Sequence, residues 1–419
     1  MKLEREKLYP WLAMLRAKFM GSGRAVALEK HFGSIEKALH ASPDAIAALP
    51  YFNREMGASV QEAAKGKFDH EIDKELNWAE REGVVILLYS DPEYPYALLH
   101  IPAFPAILYV KGTLNQEDLL ALAIVGSRRA SDAGRRLAGE IACELAEAGL
   151  TIVSGLAWGV DAAAHMGALR CKTGRTLAVM GNGLSIIYPR EHKVLAEQVM
   201  KRGALMSELF YDVAPQAQNF PPRNRIISGL SLGTLVVEAP GHSGALITAN
   251  YALEQGREVF ALPGALDQET SIGTNKLIQD SAARLVTSAK DIWSELEDKI
   301  TYYRNELTGK IPRVDIPPYP GRDVTERTPA EKSDSPEDVT VPKLCEQAPE
   351  AQTVRPPRPN LSSEEEAVMK VLTPDPIHID TLCRELQWPV AKTSSALGLL
   401  ELKDLVERTS GMRFRVKAT

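Results

Sequence analysis

Ile124-Val125-Gly126-Ser127-Arg128-Arg129 is an apolar run that ends in a glycine, a hydroxyl and two guanidinium groups, and a helical pattern begins a few residues later. The same arrangement recurs at Val153-Ser154-Gly155-Leu156 and Val179-Met180-Gly181-Asn182-Gly183. With an aromatic ring added, it recurs again at Phe220-Pro221-Pro222-Arg223-Asn224-Arg225. An apolar run closed by small turn-forming residues and followed by a helical period reads as one strand–loop–helix unit. Candidate strands fall at 121–125, 151–154, 176–180, 204–207, 234–238, 258–262 and 284–286. Candidate helices fall at 132–148, 158–170, 192–201, 223–230, 244–255, 273–282 and 289–296. Strands this apolar are buried on both faces, so the expected fold is α/β, an extended Rossmann-like parallel sheet between helical layers. Ligands of such sheets bind at the carboxyl ends of the strands, and the Gly, Ser and Arg residues cluster there.

Towards the N-terminus, apolar residues from Trp11 to Ala64 recur at helical spacing and break at Gly21-Ser22-Gly23, Gly33-Ser34 and Ser42-Pro43. The spacing predicts a small helical domain over 1–75, of the SAM or helix-hairpin-helix kind. Its glycine turns either grip a nucleic-acid backbone or simply join packed helices. Val84–Leu88 and Ala106–Val110 read as strands, which makes 76–118 a lead-in to a core at 119–300. Residues 301–360 become dense in Pro, Glu, Asp, Lys and Thr, a composition that reads as a flexible linker. Helical patterns at 362–372, 379–386 and 390–402, then a strand-turn-strand from Leu405, predict a winged helix over 361–419.

Composition narrows the function. A chain of 419 residues exceeds one ordinary domain, and 44% hydrophobic with 25% charged residues is the balance of a globular protein. Its apolar runs are too short to span a membrane, and Met1-Lys2-Leu3-Glu4-Arg5-Glu6-Lys7 leads into no apolar secretion block, so a cytoplasmic location is expected. Cys143, Cys171, Cys345 and Cys383 lack CxxC spacing and read as reduced thiols. With no HExxH and no His/Cys cluster, neither a metal nor another cofactor is expected. A net charge of -6 and a pI near 5.9 exclude a generally basic, nucleic-acid-coating protein and leave binding to local clusters.

At the first loop, Gly126 lets the backbone approach a ligand, Ser127 offers a hydroxyl, and Arg128 supplies a planar fork of donors suited to phosphate. The amides of the next helix also favour an anion. The competing reading is an ordinary strand-to-helix turn with solvated arginines. Asp161 and His165 stand at i,i+4 on one helix face. They form either an acid–base pair or a buried Asp–His hydrogen bond that fixes the turn, and the lack of a neighbouring nucleophile favours the second. Gly181-Asn182-Gly183 lacks the third glycine of the dinucleotide fingerprint. Tyr188-Pro189-Arg190 and Phe220 with Arg223 and Arg225 add an aromatic among cations, which single-stranded nucleic acid needs for stacking and phosphate tracking. Taken alone, Phe220 reads as core packing. Ser243-Gly244-Ala245-Leu246-Ile247-Thr248 opens one more helix.

From Tyr94 to Trp293 these residues resemble the DNA-processing protein A (DprA/Smf) family of bacteria. The resemblance rests on Tyr94-Pro95, Leu108-Tyr109-Val110-Lys111-Gly112, Val125-Gly126-Ser127-Arg128, Ser154-Gly155-Leu156-Ala157-Trp158-Gly159-Val160-Asp161-Ala162-Ala163-Ala164-His165 and Tyr188-Pro189. It continues through Phe220-Pro221-Pro222-Arg223-Asn224-Arg225-Ile226-Ile227, Val237-Glu238-Ala239, Ser243-Gly244-Ala245-Leu246-Ile247-Thr248-Ala249 and Ala261-Leu262-Pro263-Gly264. The resemblance implies a single-stranded DNA binder that dimerises, protects incoming DNA and loads RecA in natural transformation, with no catalytic activity. Single-strand-binding protein is a further candidate partner. Carried over by motif, Arg128 and Arg190 are expected to contact phosphates and Phe220 to stack a base. Gly126, Ser127, Ser154, Gly155, Gly181, Gly183, Ser243 and Gly244 are expected to form the pocket. Arg223 and Arg225 either join the phosphate contacts or brace the fold through an acid such as Glu238.

Two departures stand out. Gln216-Ala217-Gln218-Asn219 replaces a Lys that some relatives carry before Phe-Pro, and Ser281-Ala282 stands where Gly-Ala is usual. Two other function classes compete. Phosphoribohydrolases of the lysine-decarboxylase-like type use a Pro-Gly-Gly-x-Gly-Thr-x-x-Glu motif, of which Gly233-Thr234-Leu235-Val236-Val237-Glu238 keeps only part. A winged-helix transcription regulator would need base-reading groups, and 390–400 carries a single cation, Lys392.

Overall fold

The computed structural model describes residues 4–309 and, beyond them, 363–373, 377–386, 388, 393, 397, 400, 403, 405–409 and 413–416. The chain divides into two units, 1–332 and 333–419. In the first unit the strands are β1 Val84–Leu88, β2 Ile107–Gly112, β3 Ala121–Val125, β4 Thr151–Ser154, β5 Thr176–Val179, β6 Gly203–Ser207, β7 Gly233–Val236, β8 Glu258–Ala261 and β9 Arg284–Leu285. The helices are α1 Arg5–Arg16, α2 Ser22–Phe32, α3 Ile35–Leu39, α4 Pro43–Ala47, α5 Arg54–Ala64, α6 Asp69–Glu82, α7 Asp132–Glu147, α8 Val160–Arg170, α9 Lys193–Arg202, α10 Phe220–Gly229, α11 Gly244–Glu254, α12 Ile272–Gln279 and α13 Ala289–Leu307.

One sheet holds all these strands in the order β1-β2-β6-β5-β4-β3-β7-β8-β9. From β6 to β9 every neighbour is parallel, whereas β2 pairs antiparallel with both β1 and β6. The side chains of β3 show why both faces are covered. Ala121, Ala123 and Val125 join one apolar cluster, while Leu122 and Ile124 join the other, beside residues of α7, α8 and α13. The chain runs from β3 to β6 on one side and resumes at β7 on the other. The carboxyl ends of β3 and β7 therefore part, and the loops leaving them open a crevice.

Three expected boundaries move. The one at 75/76 falls inside α6, because Glu75 is fully buried and its carboxylate needs partners from several segments. It accepts from the Tyr109 hydroxyl at 2.8 Å and the Tyr211 amide at 3.0 Å, and it pairs with Arg16 of α1. The N-terminal helices thus share an apolar cluster with the sheet. The boundary at 300 falls inside α13, which carries the buried Ile300 and runs on to Leu307; the linker expected beyond lies outside the described residues from 310. Helix α10 begins at Phe220 rather than 223, since Pro221 and Pro222 sit in its first turn, where no amide donor is needed. Among the described residues no helix is long and apolar enough to cross a membrane.

Ser281, just past α12, holds a left-handed φ of 56° with its side chain exposed. A side chain in that conformation is strained, and the position favours glycine. Ser281→Gly is therefore expected to raise stability by about 1 kcal/mol in a urea titration. A loss instead would mean that the serine side chain holds the turn.

The second unit contains α14 Ser363–Val371, β10 Ile377–His378, α15 Ile379–Leu386, β11 Val406–Thr409 and β12 Arg413–Val416, with its sheet in the order β10-β12-β11. Val368, Leu382, Leu397, Leu400, Val406 and Phe414 form its core. This is a winged helix, with a short β10 that the sequence reading did not include. Of the helix expected at 390–402, Thr393, Leu397 and Leu400 are described and helical, and the rest lies outside the described residues. In the wing, Arg415 is held by Glu407 at 2.8 Å.

Candidate functional site

A cleft of 450 Å³ opens where β3 and β7 part, and Gly126, Ser127, Arg128, Phe220, Arg223, Ser243 and Gly244 all line it. Phe220 is at its centre, half-buried. Its ring lies over Gly181, where a Cβ would come within 2.7 Å of the ring. Tyr188 lies beside it, with ring centroids 5.7 Å apart. The guanidinium groups of Arg128 and Arg223 stand 5.4 and 5.9 Å from its centroid. Arg128 is exposed and has no ion-pair partner among the described residues.

The loop after β3 is held from within. Glycine at 126 is required by packing, since a Cβ there would reach 2.5 Å from the Val160 side chain. The Ser127 amide donates to the Glu238 carbonyl at 2.7 Å, and its hydroxyl accepts from the Arg129 amide at 3.1 Å. Ser131 caps α7 by accepting from the Gly134 amide at 2.9 Å, and Glu238 accepts from the Ser131 amide at 2.9 Å. Two of the amides expected to greet an anion at the start of α7, those of Ser131 and Gly134, are therefore already satisfied, and the exposed Arg128 supplies this loop's cation at the cleft. At the start of α11, Ser243 caps Ala245 at 3.2 Å, and no atom lies within 4 Å of where a Gly244 Cβ would be.

Ser154, Gly155 and Gly183 are not among the residues that line the cleft. The Ser154 hydroxyl donates to the Ile124 carbonyl at 2.6 Å, tying β4 to β3. A Cβ at Gly155 would collide with the Arg223 guanidinium at 2.5 Å, and one at Gly183 with the Phe210 and Tyr211 carbonyls at 2.2 Å. The expected Asp161–His165 hydrogen bond is not formed, because backbone amides of the loop compete for both side chains. Asp161 accepts from the Gly155 amide at 3.1 Å and the Ala157 amide at 3.4 Å. His165 Nε2 accepts from the Leu156 amide at 3.3 Å, while Nδ1 lies 2.6 Å from the Thr176 hydroxyl. That hydroxyl donates to the Ile152 carbonyl at 2.7 Å, so the proton is assigned to Nδ1. Burial, with the charges of His192 and Arg223 nearby, pushes the His165 pKa down to about 3. The ring stays neutral and structural.

The three remaining arginines diverge. Arg223 is only 5% exposed and donates from Nη1 to the carbonyls of Gly155, at 3.0 Å, and Val179. Arg225 takes the bracing alternative, with Glu208 as the acid rather than Glu238: both its Nη groups reach the Glu208 carboxylate at 2.6 Å, and Nε donates to the Ala103 carbonyl at 2.9 Å. Arg190 is exposed and lies outside the cleft lining. The sequence reading missed Asn224, Ile247 and Thr248 as lining residues and left Tyr188 on the rim. Asn224 was hidden between two cations, although its amide donates to the Gly244 carbonyl at 3.1 Å. Ile247 and Thr248 follow one helical turn after Ser243 and Gly244, a spacing that could have found them.

Comparison with known proteins agrees with this architecture. Residues 85–297 match the family described as DNA recombination-mediator protein A, and 350–412 match the DprA winged helix domain. Protein Smf of Synechocystis sp. is 33% identical over 410 residues, covering 97% of this chain and 98% of that protein. DNA processing protein DprA of Bacillus subtilis is 42% identical over 226 residues, 53% of this chain and 74% of that protein. The X-ray structure of DNA processing protein A from Streptococcus pneumoniae aligns with a TM-score of 0.59 at 32% identity, over 70% of this chain and 99% of that one. With the sheet, the winged helix and a likeness running nearly end to end, the chain belongs to the DNA recombination-mediator protein A (DprA/Smf) family.

Proposed function

We propose that this chain is a mediator that binds single-stranded DNA without reading its sequence. In this reading it acts in the cytoplasm as a homodimer, protects incoming DNA and loads RecA during transformation and recombination, with no catalytic step of its own. The observation that carries the binding reading is Phe220, a half-buried ring flanked by Tyr188 and two guanidinium groups at the sheet's crevice. Every base offers a π-face and every nucleotide a phosphate, so a ring among cations grips a strand regardless of sequence. RecA loading and dimerisation rest on family membership alone. The phosphoribohydrolase alternative needs a carboxylate facing the ligand, but Glu238 is turned onto Ser131 at the start of α7.

A gel-shift titration with oligo-dT and with duplex of equal length tests the reading. Single strand is expected to win, with log affinity falling against log salt by roughly 0.7 per neutralised phosphate. Equal or tighter duplex binding would sink it, as would release of free base from nucleoside monophosphates. Phe220→Ala removes stacking worth about 1–3 kcal/mol, so affinity is expected to drop by roughly 5- to 150-fold with the salt slope unchanged. RecA assembly on strands coated with single-strand-binding protein tests the loading step separately.

A further inference from the structure

Trp158 lies in the loop between β4 and α8 with 46% of its surface exposed, a large aromatic left uncovered. Single exposed apolar residues are common, but this one is held in place. Its ring packs edge-on against His192 at 4.4 Å, and His192 is itself buried and hydrogen-bonded to the Leu156 carbonyl at 2.8 Å. The next residue, Gly159, presses on the loop after β3: a Cβ there would lie 2.2 Å from the Ser127 carbonyl and 2.8 Å from that of Arg128. His192 closes the turn Arg190–His192. The indole is therefore fixed between the loop that carries Arg128 and Arg129 and the turn that carries Arg190.

Arg129 and Arg190 are both exposed, and neither has an ion-pair partner among the described residues. The neighbours of this cluster reach the cleft, because Ala157 precedes Trp158 and Tyr188 stands two positions before Arg190, and both line it. We propose that Trp158, with Arg129 and Arg190, forms a second stacking station that carries a single strand out of the Phe220 cleft. The inference rests on the single-strand reading above. It gives Arg190 a ligand outside the cleft, and it matches the chemistry of extended single-strand paths, where aromatic platforms alternate with cations.

Oligo-dT of about 4 to about 16 nucleotides, bound to the full chain and to Trp158→Ala and Trp158→Phe, tests it. The alanine variant is expected to bind the shortest strands like the parent and the longer ones roughly 5- to 100-fold more weakly. Trp158→Phe keeps a ring, so it should retain most of the affinity while losing the tryptophan fluorescence quenching that long strands cause. Trp11 and Trp78 are buried and should contribute little to that signal. If Trp158→Ala matches the parent at every length, or weakens every length equally, the second station is overturned while the cleft stands. If the parent binds no strand of any length, the function proposed above falls first and this inference with it. Unchanged melting of the alanine variant excludes misfolding as the cause.

Discussion

Arg128→Glu is expected to lower affinity for oligo-dT by roughly a hundredfold at moderate salt and to flatten the salt slope by about 0.7. The side chain is exposed, bridges to no carboxylate among the described residues and stands 5.4 Å from the Phe220 ring. Its removal leaves no buried group unsatisfied, so melting should stay within about 0.5 kcal/mol of the parent. What changes is the field at the cleft mouth. The reversal removes a donor fork and places a carboxylate beside a phosphate, where like charges repel by about 1–4 kcal/mol between bulk water and a protein surface. Arg128→Ala separates the two contributions, because it loses the attraction without adding repulsion, and should cost roughly tenfold. Normal binding by the glutamate variant at matched salt would put the phosphate site elsewhere.

The fold was legible where burial is two-sided. Strands β3 to β8 are mostly apolar and buried along nearly their whole length because helices cover both faces, and helix α11 announces itself with Ser243 as its cap. The union of the N-terminal helices with the sheet was not legible. It depends on Glu75 meeting Tyr109 and Tyr211, which lie 34 and 136 positions away in the chain. In the cleft, spacing found the right loops but could not rank their side chains. Arg128, Arg223 and Arg225 look alike in sequence, yet one is solvated, one is braced by carbonyls and one is clamped by Glu208. Part of that was recoverable. Residues two apart on a helix point to different sides, so a helix that starts at Phe220 already forbids Arg223 and Arg225 from sharing one ligand. The sequence reading placed the arginines at the helix start, where that constraint carries little force.

Arg223→Ala is expected to cost about 3–5 kcal/mol of stability, the loss typical of removing one partner from a buried charged network. The guanidinium is 5% exposed, and burial draws its pKa down to about 10, so it is still charged at neutral pH. It stays there because its Nη1 donates to the carbonyls ending two neighbouring strand segments, Gly155 and Val179, and because the Asp161 carboxylate nearby opposes the cost of burial. Truncation leaves both carbonyls without this donor, strips Asp161 of a counter-charge and opens a void under Phe220. Lysine repairs this only in part, since its ammonium could bridge the two carbonyls as Nη1 does but could not also supply the Nε donor that reaches the Asn224 side chain at 3.2 Å. Arg223→Lys should therefore also unfold at lower urea, though less than the alanine variant. Measured beside Arg128→Glu, the pair separates two roles that the sequence merges: one arginine should change binding and leave the melt alone, and the other should change the melt first. An Arg223→Ala protein that melts like the parent but fails to bind DNA would reverse that assignment and make Arg223 a direct ligand.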